Sequence, residues 1–329
     1  MALPKADFIK ANGLNFALYQ ARPAGEPKGL VLLCHGFPEL GYSWRHQLQP
    51  LADAGWHAVA PDLRGFGQSD VPEDATQYAM DSCTKDVAEI IKALGYDQAV
   101  LVGHDFGGML VWAVPFFEPQ VIRGVASICT PFTPRAKHEP IAMFNHHYGE
   151  DNYINRFQEP GFMEQHFNKD ISRVFKMMMR RDVGEGTPLG QAGHLDTSMM
   201  EWWKKVLLPE TDWPGEMFLS DEELATYTAL YENAGGFTGG FNWYRNLTRT
   251  WELMEEFQPV GGPKPQMTFP TLQMMPDKDP SSPPFLADGM EKFCPDMERV
   301  EITDAGHWAQ QEQPEQVNAA LIDWLGRKF

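Results

Sequence analysis

The chain has 329 residues, of which 43% are apolar and 22% are charged. This composition is typical of a globular protein, and the length allows one large domain or a domain with a sizeable insertion. The formal net charge of −18 repels phosphate backbones and therefore argues against nucleic-acid binding.

Strand and helix patterns alternate through the N-terminal part of the chain, which favours a mostly parallel sheet with helices on both faces. The apolar runs are continuous, as expected for interior strands that are buried on both sides. Glu118-Pro119 ends the last helix of this part. Strands are predicted at residues 15–20, 29–34, 57–60, 99–102 and 125–129, and helices at 44–54, 80–94 and 108–117.

The composition changes after Pro131. Aromatic residues, methionines, histidines and asparagines become frequent up to Thr250, and strand patterns disappear. We interpret residues 134–246 as a helical cap domain inserted into an α/β core formed by residues 1–133 and 247–329. The core pattern resumes with strands at 267–275 and 300–302 and closes with an amphipathic helix at 317–325.

The cysteines do not indicate a disulfide framework. Cys34, Cys83, Cys129 and Cys294 are far apart in the sequence, and no Cys-x-x-Cys pair occurs. The N-terminus lacks a signal-peptide core, and the apolar stretch at residues 109–117 is too short to span a bilayer. We therefore expect a reduced, cytoplasmic protein without membrane insertion.

Asp105 is a candidate nucleophile. It lies at the centre of Gly103-His-Asp-Phe-Gly107, between a strand pattern and a helix pattern, where a nucleophile elbow usually has serine. A carboxylate is already charged at pH 7 and can attack electrophilic sp3 carbons, such as those of epoxides or alkyl halides, to form an ester. The alternative interpretation is that Asp105 is an ordinary helix N-cap.

Hydrolysis of such an ester needs a base and a group that orients the base. His307 lies in a loop after the last strand pattern, and Asp279 follows the strand before it, so both are expected at carboxyl ends of strands. The order Asp105, Asp279, His307 matches nucleophile, acid and base in α/β-hydrolases. Three alternatives stay open: Asp277 as the acid, a turn role for Asp279, and a loop histidine bonded to backbone.

The turn after the strand predicted at 29–34 reads His35-Gly-Phe-Pro-Glu39. In the α/β-hydrolase scheme, the oxyanion hole uses a backbone N–H from this turn and the N–H of the residue after the nucleophile. This scheme assigns the amides of Phe37 and Phe106. A simple strand-to-loop turn with a buried Phe37 is the alternative.

Four motifs together resemble those of α/β-hydrolase-fold epoxide hydrolases, most closely the hydrolase domain of the soluble epoxide hydrolases. The resemblance covers about residues 8–326 and implies an α/β-hydrolase fold with a helical cap inserted after the sixth strand. It also suggests that Glu39 helps to orient the hydrolytic water, the alternative being a solvated loop carboxylate. The motifs are His35-Gly-Phe-Pro-Glu39, Asp62-Leu-Arg-Gly-Phe-Gly-Gln-Ser69, Gly103-His-Asp-Phe-Gly-Gly108 and Gly306-His-Trp308.

An alkoxide formed by opening an epoxide is costly in an apolar pocket unless a proton donor is present. The resemblance implies two cap tyrosines for this role. They are Tyr153, in Asn152-Tyr-Ile-Asn-Arg-Phe-Gln-Glu-Pro-Gly161, and Tyr244, in Asn242-Trp-Tyr-Arg-Asn246. For the other tyrosines of the insertion we expect packing between helices: Tyr148, Tyr227 and Tyr231.

These residues predict an enzyme that converts a small apolar epoxide to a vicinal diol through an aspartyl ester, with water as the other substrate. No cofactor is expected. No metal is expected either, because His146-His147 lacks a third ligand at helical spacing. The protein is expected to be a monomer or a homodimer.

Two other functions stay open. A haloalkane dehalogenase shares the fold, the aspartate nucleophile and the histidine base, but it usually has Trp after the nucleophile, where this chain has Phe106. Fluoroacetate-type dehalogenases have Arg at that position. A non-catalytic hydrolase-like binding protein would keep the pocket without turnover, and the complete set of Asp105, Asp279 and His307 argues against it.

Overall fold

The computed structural model describes residues 3–181, 200–213 and 215–329, so residues 182–199 and 214 of the predicted cap lie outside the described residues. The strands are β1 (Asp7–Ala11), β2 (Leu14–Ala21), β3 (Leu30–Cys34), β4 (His57–Pro61), β5 (Ala99–His104), β6 (Ile122–Ile128), β7 (Arg180–Arg181), β8 (Glu216–Met217), β9 (Thr271–Pro276) and β10 (Met297–Ile302). The helices are α1 (Arg45–Asp53), α2 (Met80–Ala93), α3 (Phe106–Phe117), α4 (Pro140–Tyr148), α5 (Tyr153–Arg156), α6 (Glu164–Phe167), α7 (Ile171–Met178), α8 (Asp221–Asn233), α9 (Thr238–Arg245), α10 (Leu247–Leu253), α11 (Ala309–Glu312) and α12 (Pro314–Lys328).

Eight of the described strands form one sheet in the order β1-β2-β4-β3-β5-β6-β9-β10. The pairs β1–β2 and β2–β4 are antiparallel, and the other pairs are parallel. The parallel strands β3, β5, β6, β9 and β10 therefore end at the same edge. The loops that follow β3, β5, β9 and β10 contain Phe37, Glu39, Asp105, Asp279 and His307, whereas Tyr153 and Tyr244 lie in the insertion after β6.

The two faces of the sheet explain the continuous apolar runs. In β3, Leu30 and Leu32 pack on the face covered by α2 and α3, whereas Val31 and Leu33 pack on the face covered by α1 and α12. All four side chains are fully buried. Since each buried leucine or valine contributes about 1.5–3 kcal/mol, both faces of the strand stabilise the core.

The predicted strands and helices of the core agree with the structure within a few residues, with two corrections. The strand predicted at 267–275 begins only at Thr271, because Pro270 has no N–H for the sheet; Met267 is instead a buried loop residue. The edge strand β1 was not predicted, because its exposed Phe8 hides the alternation.

Between β6 and β9 the described chain is mostly helical, as predicted for the insertion, and α4 to α10 lie here. The two-residue strands β7 and β8, which pair with each other, were not predicted. The boundaries at residues 134 and 246 stay a prediction. In the described ranges, no helix is both long enough and apolar enough to cross a membrane.

Candidate active site

Asp105 occupies a tight turn between β5 and α3. Its backbone has a φ of 53°, which few non-glycine residues adopt. The turn requires glycine on both sides: a Cβ on Gly103 would lie 2.2 Å from the carbonyl oxygen of Gly107, and one on Gly107 would lie 2.0 Å from that of Cys34. Asp105 occupies the N-cap position of α3, but its side chain makes no capping bond to the helix, so it is not an ordinary capping residue.

The Asp105 carboxylate faces the oxyanion turn and His307. The N–H of Phe37 donates to Oδ1 at 2.9 Å, and Nε2 of His307 lies 3.7 Å from Oδ2. Phe106 is the first residue of α3, so its N–H has no partner within the helix. Burial raises the pKa of Asp105, but His307, His104 and the Phe37 amide outweigh it and hold the pKa below its usual value. The nucleophile candidate is therefore ionised.

Asp279, rather than Asp277, contacts the histidine. Oδ2 of Asp279 lies 2.9 Å from Nδ1 of His307, whereas the exposed Asp277 accepts a hydrogen bond from the N–H of Ala305. Oδ1 of Asp279 also accepts from the N–H groups of Ser281 and Ser282, as in an Asx turn. The turn interpretation and the acid interpretation of Asp279 thus hold together.

Asp279 and His307 shift each other's pKa. Burial lowers the pKa of His307, but the carboxylates of Asp279 and Asp105 outweigh it and raise the pKa well above its usual value. Burial raises the pKa of Asp279, yet the charge of His307 and the hydrogen bonds hold it below its usual range. A histidine that exchanges a proton at Nε2 while a buried carboxylate holds Nδ1–H is suited to act as a general base.

A second buried pair lies beneath the first. Nδ1 of His104 lies 2.6 Å from Oε2 of Glu39, and Nε2 lies 2.7 Å from the carbonyl oxygen of His307. Since both nitrogens face acceptors, the ring is satisfied when both carry protons. Burial lowers the pKa of His104, but the Glu39 carboxylate outweighs it and raises the pKa well above its usual value. Oε1 of Glu39 accepts from the side-chain amides of Gln310 and Gln311.

This arrangement corrects the picture of Glu39 as a solvated loop carboxylate: the side chain is fully buried. Glu39 and His104 do not line the cavity in front of Asp105. Glu39 can act on a water in the cavity only indirectly, through His104 and the backbone of His307 or through the N–H of Gly36, which donates to Oε2 of Glu39.

The two tyrosines implied by the resemblance come together in the cavity that Asp105 also lines. Tyr153 begins α5 and Tyr244 lies in α9, and their ring centroids are 5.7 Å apart. The ring of Tyr244 packs edge-on against Phe106 at 4.5 Å, which fixes its orientation. Burial and the nearby Asp105 carboxylate raise the pKa of Tyr153, and burial, Tyr153 and Asp105 raise that of Tyr244, so both stay protonated hydrogen-bond donors.

Tyr227 and Tyr231 pack between elements as predicted, whereas, among the described residues, the ring contacts of Tyr148 are with its own helix α4. The hydroxyl of Tyr227 lies 2.7 Å from Oγ of Ser43, and that of Tyr231 donates to the carbonyl oxygen of Glu39. Tyr148 stacks on Phe144. None of these three rings lines the cavity that contains Tyr153 and Tyr244.

A cavity of about 390 Å³ connects these groups. Asp105, His307, Tyr153 and Tyr244 lie in its wall, and most of the remaining wall is apolar. Burial among such side chains is what an apolar ligand requires. The apolar side chains are Phe37, Phe144, Met177, Met178, Met200, Trp202, Pro280, Leu286 and Trp308.

The imidazole nitrogens of His104 and His307 and the sulfur of Cys129 lie within 4.8 Å of one another, the only such group of three possible ligands in the described parts of the chain. Each is already hydrogen-bonded. His104 contacts Glu39, His307 contacts Asp279, and the Cys129 thiol donates to the carbonyl oxygen of His307. We therefore interpret the group as a hydrogen-bonded network. Cys34, Cys83, Cys129 and Cys294 are all buried and unbridged.

Comparison with known proteins agrees with this geometry. Residues 29–314 match the alpha/beta hydrolase fold family. Epoxide hydrolase A of Mycobacterium tuberculosis is 36% identical in an alignment that covers 99% of this chain and 98% of that protein. The chain belongs to the α/β-hydrolase-fold epoxide hydrolases. This assignment confirms the predicted family and fold.

Two further members of the epoxide hydrolase family show how far the likeness extends. A crystal structure of epoxide hydrolase A from Mycobacterium thermoresistibile has a TM-score of 0.83 and 36% identity, covering 98% of both chains. Bifunctional epoxide hydrolase 2 of Mus musculus is 35% identical over 90% of this chain but only 51% of that protein. The chain thus spans about half the length of that relative.

One contact of the site was missed in the sequence. The hydroxyl of Ser281 lies 2.8 Å from Oδ1 of Asp279 and 2.9 Å from Nδ1 of His307. The Asp-Pro-Ser-Ser spacing signals the turn around Asp279, but it gives no information about the ring of His307. That ring comes from the loop after β10.

Proposed function

We propose that the protein opens a small apolar epoxide to a vicinal diol through a covalent ester on Asp105. The observation that supports this most strongly is the arrangement of charge and donors around one cavity. An ionised carboxylate beside a histidine and two neighbouring protonated tyrosines line the same cavity. A carboxylate nucleophile and two O–H donors in one cavity suit a strained ring whose oxygen must be protonated as it leaves.

In the first step, Tyr153 and Tyr244 hydrogen-bond the epoxide oxygen. An oxygen of Asp105 attacks a ring carbon from the opposite side, so that a carbon–oxygen ester bond forms as the ring carbon–oxygen bond breaks. The developing alkoxide takes a proton from a tyrosine O–H. No proton has to move to or from His307 in this step.

In the second step, His307 removes a proton from water through Nε2, and the resulting hydroxide attacks the carbonyl carbon of the Asp105 ester. The amides of Phe37 and Phe106 hold the oxyanion; the Phe37 amide already donates to Asp105 at rest. The ester bond then breaks, and the leaving alkoxide takes the proton that remains on the added hydroxyl group, so that Asp105 returns to a carboxylate and the diol leaves. The proton taken from water replaces the one that the tyrosine gave.

Glu39 acts in this scheme as a positioning residue. Its bond to His104, and that of His104 to the carbonyl of His307, fix the backbone from which the base projects. The hydrolytic water is then oriented by His307 rather than by Glu39 itself.

The leaving group separates this proposal from a haloalkane dehalogenase. A halide leaves without a proton, whereas an epoxide oxygen needs one, and the two protonated tyrosine hydroxyl groups in the cavity of Asp105 can give it. Phe106 provides a ring that packs on Tyr244, not an indole N–H. The family relatives named above are epoxide hydrolases, which favours the same choice.

Intact-mass spectrometry of a His307→Gln variant tests the proposal. After exposure to styrene oxide, we expect the protein mass to rise by the mass of one whole epoxide, because the ester forms but is not hydrolysed. A dehalogenase exposed to an alkyl chloride would instead gain the mass of that chloride less hydrogen chloride, and a binding protein would show no adduct with either compound. A second substitution, Asp105→Ala, must abolish the adduct. If it does not, the site is wrong.

A single turnover of the unaltered enzyme in water labelled with oxygen-18 checks the second step. The label should enter the Asp105 carboxylate rather than the diol, because the hydroxide attacks the ester carbonyl. Label found in the diol after one turnover would mean direct attack of water on the epoxide.

The remaining parts of the proposal are a cytoplasmic location and a monomeric or homodimeric state. Four buried, unbridged cysteines agree with a reducing compartment. Fractionation of the native host and light scattering of the purified protein would test these two points.

A further inference from the structure

The hydroxyl group of Ser281 lies between the acid and the base of the site. Its oxygen is 2.8 Å from Oδ1 of Asp279 and 2.9 Å from Nδ1 of His307. Nδ1 of His307 therefore has two neighbours, because Oδ2 of Asp279 is also 2.9 Å away. The side chain of Ser281 forms part of the cavity wall.

The chemistry of the three groups determines where the protons lie. Asp279 is ionised and only accepts, so the Ser281 O–H donates to Oδ1. The lone pairs of the Ser281 oxygen then face Nδ1–H of His307, which is shared between the hydroxyl oxygen and Oδ2 of Asp279. With Nδ1 protonated, Nε2 on the Asp105 side carries the lone pair that a base needs.

We propose that Ser281 is a positioning residue that stabilises the positive charge His307 gains when it takes a proton from the hydrolytic water. The Ser281 oxygen is the negative end of the O–H dipole. It lies nearer to the imidazole than the hydroxyl hydrogen, which points to Asp279. The dipole therefore favours imidazolium over neutral imidazole. This inference rests on the proposed function, since only the second step protonates His307.

The other groups around His307 are fixed contributors that a change at position 281 does not remove. Asp279 keeps the N–H groups of residues 281 and 282, which come from the backbone. In the described parts of the chain, the charged and titratable groups that face His307 or its acid from the neighbouring elements are Asp105, Asp279, His104, Cys129, Tyr153 and Glu312.

Three substitutions at the same position separate the hydroxyl from the space it fills. Ser281→Ala removes the group, whereas Ser281→Thr keeps a hydroxyl and Ser281→Val replaces that hydroxyl by a methyl group of similar size. Threonine and valine are thus a matched pair that differs in hydrogen bonding. Rapid-quench single turnovers with styrene oxide, read by intact mass, follow formation and decay of the ester separately.

We expect the ester to form at the unaltered rate in all three variants. Its hydrolysis should slow about tenfold in the Ala and Val variants, as for a lost hydrogen bond to a charged group, and stay within about twofold in the Thr variant. Without this hydroxyl group the imidazolium is less stable, so the pKa of His307 falls and the ring stays neutral to lower pH. The acid limb of the hydrolysis profile should therefore move down by about one pH unit in the Ala and Val variants.

Equal rates of hydrolysis in all four proteins would overturn the role of Ser281 and leave the proposed function intact. So would an equal loss in both steps, or a Val variant that behaves like the Thr variant. If no ester forms in any of the four proteins, both the role of Ser281 and the proposed function fail.

Discussion

Replacing Asp105 by asparagine should lower the pKa of His307, because the asparagine has the shape of the nucleophile without its charge. Oδ2 of Asp105 lies 3.7 Å from Nε2 of His307. At that separation a unit charge contributes about 1 kcal/mol in water and about 4 kcal/mol at an effective dielectric constant near 20. Since about 1.4 kcal/mol corresponds to one pKa unit, the pKa of His307 should fall by about 1–3 units.

This decrease matters because the ester intermediate is also uncharged at position 105. While Asp105 is free, its charge favours protonated His307; once the ester has formed, that charge is gone and His307 can act as a base. Formation of the intermediate thus prepares the residue that hydrolyses it.

The assay is a titration of protein labelled with carbon-13 at histidine Cε1, followed by NMR, with the His307 signal assigned by its absence in His307→Gln. Intact mass must show that the Asp105→Asn side chain has not deamidated. Asp304→Asn is the matched control: its carboxylate lies three residues from His307 but is exposed and paired with Lys278, so its effect should be a few tenths of a unit. An unchanged or increased pKa in Asp105→Asn would refute the reasoning.

Three further substitutions test other parts of the site. Tyr244→Phe removes one donor to the epoxide oxygen and should slow ester formation about tenfold to hundredfold while hydrolysis is unchanged, which rapid quench can measure; equal rates would remove Tyr244 from the mechanism. Glu39→Gln breaks a buried pair and should lower the free energy of unfolding by about 3 kcal/mol in urea, so a loss below about 1 kcal/mol would contradict the buried ion pair. Gly107→Ala places a Cβ 2.0 Å from the carbonyl oxygen of Cys34 and should prevent normal folding by circular dichroism; a stable, active variant would show that the turn can relax.

The parts of the fold that could be predicted are those whose sequence pattern is set by burial on both sides. In β3 and β5 every residue is buried, and the continuous apolar runs indicate this directly. In β1 only Ala11 is buried, because the strand lies at the edge of the sheet. Its place depends on antiparallel pairing with β2, a tertiary contact that leaves little trace in the composition of the segment.

The site could be predicted where a residue is tied to a local motif. Asp105 lies between two glycines that its turn requires, and Asp279 lies in a turn closed by its own neighbours. Glu39 could not be placed, because its partner His104 is 65 positions away and turns a loop carboxylate into a buried ion. The contact of Ser281 with His307 was missed for the same reason: it joins loops that follow two different strands.

The three carboxylates of the centre differ in how well they are compensated, and this difference explains which one reacts. Glu39 faces His104 at 2.6 Å and Asp279 faces His307 at 2.9 Å, and neither side chain is exposed. Among the described residues, no imidazole lies within hydrogen-bond distance of Asp105, and a quarter of its side chain is exposed. Converting Asp105 to an uncharged ester therefore gives up less ion-pair stabilisation than the same change at Glu39 or Asp279. Two histidines hold two carboxylates as permanent anions, and the third is left to act as the nucleophile.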